Sequence, residues 1–148
     1  MPNFPKLARD KNGNFGPTSN RHFYTAVHRH NKSRKTNRKK EERAHEIKSI
    51  WSIKEYEQYG VFKLADEGWW FCQENEALFS IVENGTYIVG KDDEVLSYFD
   101  GPQNLFDVWH GFPVLSSNKR PSSDLLDLWE QNNIIDYATR IRIEKSVL

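Results

Sequence analysis

From Arg29 to Lys40 the chain reads Arg-His-Asn-Lys-Ser-Arg-Lys-Thr-Asn-Arg-Lys-Lys, with no acidic and no aliphatic side chain. Such a stretch has nothing apolar to bury and repels itself, so it cannot enter a hydrophobic core and seeks anions instead. The charge is segregated along the whole sequence. Residues 1–50 hold 13 Lys/Arg and 4 Asp/Glu, residues 51–148 hold 8 and 17, and the formal net charge is zero. This pattern predicts two parts: a largely disordered or extended basic arm over residues 1–44, and a compact acidic α+β domain over residues 45–148.

The second part is long enough for one core. It also carries all five tryptophans, at positions 51, 69, 70, 109 and 129. The single cysteine, Cys72, allows no internal disulfide, so a cytoplasmic location is the expected default. No apolar run approaches the roughly 18 residues of a membrane span, and Met-Pro-Asn-Phe-Pro-Lys lacks the apolar centre of a secretory signal. No membrane contact is expected.

Good helix formers and the spacing of Ile47, Ile50, Trp51 and Lys54 predict a helix from Lys39 to Tyr59, stopped by Gly60. An antiparallel meander of four or five strands follows, with candidates Val61–Ala65, Trp69–Gln73, Ala77–Glu83, Thr86–Gly90 and Glu94–Phe99. Asn84-Gly85 between β-formers predicts a tight hairpin, because both turn residues need positive φ. Residues 100–121 read as a connection. A C-terminal helical hairpin completes the fold, with Ser122 or Ser123 capping Ser123–Asn132 and Asp136 capping the last helix.

The basic stretch carries the leading expectation of function. Lys and Arg that neutralise phosphates release counterions, which supplies most sequence-independent affinity for nucleic acid. The anchors are Arg29, Lys32, Arg34, Lys35, Arg38, Lys39, Lys40 and Arg43. Phe23, Tyr24 and His30 offer stacking faces for unpaired bases, which favours RNA over DNA. One alternative is a metal-independent ribonuclease or toxin, which needs an acid, a base and cations for the charged transition state. His110 with Arg120, Tyr137 and Arg140 supplies those types. Another alternative is an inhibitor or immunity-type interaction module, whose acidic body mimics a nucleic acid toward a protein partner. No metal and no cofactor is expected. His22, His28 and His30, followed by His45, have no cysteine nearby and no carboxylate stands among the first three, which disfavours a four-ligand zinc site; the acidic pairs fit a turn and a helix start, and no nucleotide-binding or nucleophile motif occurs.

Overall fold

The computed structural model describes residues 2–27, 49–102 and 107–148. Helix α1 spans Glu55–Gly68. Strands β1 (Phe71–Cys72), β2 (Ala77–Ile81), β3 (Leu96–Asp100) and β4 (His110–Val114) follow, then helices α2 (Ser123–Gln131) and α3 (Tyr137–Glu144). The four strands form one antiparallel sheet in the order β1-β2-β3-β4. This is the expected α+β architecture, with a helix before the sheet and a helical pair after it.

The helix before the sheet lies further along the chain than its sequence pattern suggests. The part of the expected Lys39–Tyr59 helix up to residue 48 falls outside the described residues. Trp51 makes an extended bridge to Gly90, and helix begins only at Glu55. There the Glu57 carboxylate accepts from the Lys54 amide at 2.9 Å, the back-bond that holds a helix start. The helix then runs through Gly60 and absorbs the expected strand Val61–Ala65. Its buried positions 58, 61, 62, 65 and 66 repeat at helical spacing, and packing of that face overrides the β-preference of single residues. Gly60 is a seat and not a stop: a Cβ there would fall 2.3 Å from the Phe4 ring.

The expected Asn84-Gly85 hairpin is also replaced. Both residues do take positive φ, 56° and 81°, but inside a short 3-10 turn, Glu83–Gly85. The Asn84 side chain accepts from the Asp136 amide at 2.9 Å and donates to the Asp136 carboxylate at 3.0 Å. The turn therefore docks the start of α3, and the expected strand Thr86–Gly90 does not pair with β2. The partner of β2 is β3, in the register Phe79↔Tyr98.

Strand β4 arises where a connection was expected, because Gly111 and Pro113 disguise it. Trp109, just before the strand, turns both its N–H and its carbonyl outward to residues 23 and 25. By the two-residue period Pro113 faces the same outer edge, where its missing donor costs no ladder bond. Gly111 is needed for close approach: a Cβ there would lie 2.3 Å from both the Tyr98 carbonyl and the Phe99 ring. Backbone cannot yield as a flexible side chain can. Gly111→Ala is expected to cost about 2–3 kcal/mol or more, read as a lower urea midpoint at unchanged slope; a midpoint equal to wild type would refute this packing.

The core reaches back before residue 45. Phe15 and Tyr24 are buried and exchange two backbone hydrogen bonds of 2.8 and 2.9 Å. The Tyr24 hydroxyl donates to Gln58 at 2.9 Å, and its ring meets Phe62 and Phe99 at 5.5 and 5.9 Å. Phe15 and Tyr24 thus dock this part of the chain on the body. The opposite face of the sheet carries Phe79, Tyr98 and Phe112 in ring contact.

This aromatic packing has a consequence at high pH. Burial, reinforced by neighbouring carboxylates, raises the phenols of Tyr24, Tyr59, Tyr87 and Tyr98, with Tyr87 pushed up to about 12 beside Glu57. The folded state therefore binds these protons more tightly than the unfolded chain. Their stabilisation is fully present below about pH 10 and is lost as pH rises through the folded values. A base titration is expected to show late phenolate absorbance appearing together with loss of near-ultraviolet dichroism. Titration of all six tyrosines near pH 10 with the fold intact would contradict it.

Candidate functional site

The outer edge of β4 gathers the features that bear on function. Trp109 donates its amide to the Phe23 carbonyl at 2.8 Å and accepts from the Thr25 amide at 2.9 Å, making a parallel bridge centred on Tyr24. Two residues along the same edge, the Gly111 carbonyl accepts from the Trp51 indole at 3.2 Å. Trp51 is itself fixed by flanking backbone bonds, Ser52 to Val89 at 2.8 Å and Lys91 to Ile50 at 2.9 Å. The chain therefore leaves the described body two residues after Thr25 and returns two residues before Trp51, next to one strand edge.

Between those points lie residues 28–48, with nine Lys/Arg and three Asp/Glu. All eight expected phosphate anchors, from Arg29 to Arg43, lie in this segment and so outside the described residues. What is described is how its flanks are held. Both attach to β4, so the basic segment is a connection anchored at each end. The remainder of the chain carries 12 Lys/Arg and 18 Asp/Glu.

Beside the first anchor sits a polar cluster. Phe15 and Tyr24 pair, and the chain between them turns tightly at Thr18–His22, where the Thr18 amide bonds the His22 carbonyl at 2.9 Å. The tip of this turn grips the C-terminal end of α1. Asp66 is fully buried. One carboxylate oxygen accepts from the Thr18 hydroxyl at 2.5 Å and the other from His22 Nδ1 at 2.8 Å. Asn20 Nδ2 donates to the Asp66 carbonyl at 2.7 Å, and the Ser19 amide to the Glu67 carboxylate at 2.8 Å. The His22 ring lies 5.5 Å from that of Trp109, tilted by 44°.

The four residues expected to serve a ribonuclease are distributed differently. His110 heads β4 opposite Asp100. Arg120 lies beyond the other end of that strand, and its guanidinium donates to Ser146 Oγ at 2.6 Å. Tyr137 opens α3, 67% exposed. Arg140 binds three carboxylates, Asp127 at 2.5 Å and Glu130 and Glu144 at 3.2 Å each, and so clasps α2 to α3. Among the described residues no hydrogen bond or ion pair joins any two of these four. The acidic turn at Asp92–Glu94 is closed on itself, Glu94 accepting from the Asp92 amide at 2.9 Å. Among the described residues no group of three or more His, Cys, Asp or Glu is placed to hold a metal ion, and no helix is long and apolar enough to cross a membrane.

The contact that sequence reasoning missed is His22–Asp66, 44 residues apart. Its one signal is conditional. Once Val61–Ala65 is read as helix, Asp66 falls four residues after Phe62 on the buried stripe, and a carboxylate there needs a partner.

No family model, curated protein or solved structure matches this chain.

Proposed function

We propose that the protein binds nucleic acid, RNA in preference to DNA, through the basic segment anchored on the β4 edge. The observation that carries this reading is the pairing of charge with attachment. Residues 28–48 hold nine Lys/Arg against three Asp/Glu, the densest positive charge in the chain, and both flanks are fastened to one strand of an acidic body. Closing a segment at both ends limits the conformations it loses on binding. The acidic remainder repels phosphate and directs contact to the segment. Phe23 and Tyr24, expected to stack on bases, face other duties here: Tyr24 is wholly buried and the Phe23 carbonyl takes part in the anchor. The binding reading therefore rests on the cations and on His30.

Crosslinking single-stranded RNA to the full chain, followed by peptide mass spectrometry, tests the placement. The expected crosslinks fall within residues 28–48. Crosslinks confined to residues 51–148 would overturn the assignment.

A further inference from the structure

We infer that Trp69, backed by Phe71, is a stacking platform for one unpaired base of the bound RNA, an inference that rests on the binding reading above. The platform is built where α1 ends. The Trp69 amide bonds the Asp66 carbonyl at 3.2 Å and the Trp70 amide bonds the Ala65 carbonyl at 2.8 Å, the crossed pair that closes a helix. Closure puts Trp69 at φ 51° and ψ 55°, left-handed backbone that glycine or asparagine ordinarily takes and a bulky side chain avoids. The indole gains little burial in return, since 52% of the residue stays exposed. Its one ring contact among the described residues is Phe71, whose ring lies parallel at 5.1 Å and 8°. One face of the indole is thereby covered and stiffened, and the other is left to solvent. Neither backbone preference nor core packing accounts for a tryptophan here. A flat, half-open aromatic held in place by a second ring is what a nucleobase stacks on.

Size and charge favour a base over a protein surface. The exposed half of a tryptophan is on the order of 100 Å², and Leu64, 40% exposed on the same helix, adds less. A stable protein interface needs roughly 800 Å² on each side, whereas one base covers one indole face. The carboxylates at this helix end are already engaged, Asp66 by Thr18 and His22 and Glu67 by the Ser19 amide. Two exposed cations stand on the elements that meet here, Lys63 on α1 and Arg21 in the turn that grips it. Neither is in an ion pair among the described residues. The platform supplies the stacking that buried Tyr24 does not.

The burial of the other tryptophans makes the contact measurable. Trp51, Trp70, Trp109 and Trp129 are at most 8% exposed, so Trp69 is the one that solvent and ligand reach. A base stacked on it quenches its emission and hides it from a dissolved quencher. Stacking also adds a photocrosslink at Trp69 to those in residues 28–48.

The test titrates the full chain with a mixed-sequence single-stranded RNA oligonucleotide and with the same sequence as a duplex, following affinity and tryptophan emission together. The single strand is expected to quench the emission and shield it from iodide. The duplex, whose bases already stack on one another, is expected to do neither. Trp69→Ala is expected to lower affinity for the single strand about 10-fold or more, with the salt slope unchanged because no phosphate contact is lost. Trp69→Phe keeps a ring and is expected to recover most of that affinity without the quench. Trp69→Gly suits the left-handed backbone, so it is expected to melt within about 5 °C of wild type while binding RNA like Trp69→Ala. RNA bound with emission unchanged, equal quenching by the duplex, unchanged affinity in Trp69→Ala, or a Trp69→Gly chain that melts far below wild type overturns the platform and leaves the binding reading intact. A wild-type dimer that Trp69→Ala dissociates assigns the patch to a protein contact and overturns it as well. Absence of RNA binding by the wild type overturns both.

Discussion

Replacing Trp51 by alanine is expected to cost about 3–5 kcal/mol of stability, the range for removing a large aromatic from a packed core. Trp51 is 1% exposed. Its ring stacks near Phe99 at 6.2 Å, and Phe99 also meets Tyr24 and Phe62, so the void opens at the junction of sheet, α1 and the N-terminal segment. The substitution also removes the donor to Gly111 and with it the second anchor of the basic segment. Trp51→Phe separates the two contributions. It keeps most of the packing and leaves the Gly111 carbonyl without its indole, so about 1–2 kcal/mol is expected. Urea denaturation of the three proteins checks the ordering; equal midpoints for Trp51→Ala and wild type would place Trp51 outside the core.

Asp66→Ala is expected to cost about 2–4 kcal/mol, because it leaves the buried Thr18 hydroxyl and the His22 ring without their shared acceptor. The loss is local as well as global. Residues 15–24 are held to α1 chiefly by this cluster at the tip and by Tyr24 at the base, so amide exchange at Thr18 and His22 is expected to accelerate more than in β2 or β3. Asp66→Asn retains one acceptor oxygen and turns an N–H toward a donor, so it should fall between wild type and alanine. If Asp66→Ala melts like wild type and exchange at the turn is unchanged, the cluster does not fasten the N-terminal segment.

What could be read from the sequence follows from how local each signal is. Helices α2 and α3 are marked by Ser122 and Asp136 as caps, whose side chains accept from Leu125 and Thr139 within their own first turns. Those decisions are made within a few residues. β2 and β3 were visible as apolar runs between turns. The elements that were misread depend on distant partners. Gly60 continues a helix because Phe4 packs on it, and Asn84 abandons a hairpin because Asp136 offers two hydrogen bonds. β4 carries Gly and Pro because its outer edge is occupied by residues 23–25 and Trp51. The charge segregation was plain. That the basic segment is anchored at both ends was not, since the anchors are two backbone bonds to Trp109 and one indole bond to Gly111. For the same reason His22 looked like one more histidine in a basic arm, its partner lying just past a segment read as a strand.

This arrangement also changes how the central claim is tested. Deleting residues 1–44 would remove Phe15 and Tyr24 from the core, so the charge must be removed without the chain. The most direct measurement is RNA affinity over a salt series, for the full chain and for a variant with Arg29, Lys32, Arg34, Lys35, Arg38, Lys39, Lys40 and Arg43 all changed to serine. With five to seven of these cations on phosphates, the log–log slope for single-stranded RNA is expected to be roughly −3 to −5. In the variant, which keeps the wild-type melting temperature, the slope collapses toward zero along with the affinity. Affinity and slope unchanged in a folded variant would contradict the account, and so would a wild type that binds no RNA at about 0.1 M salt.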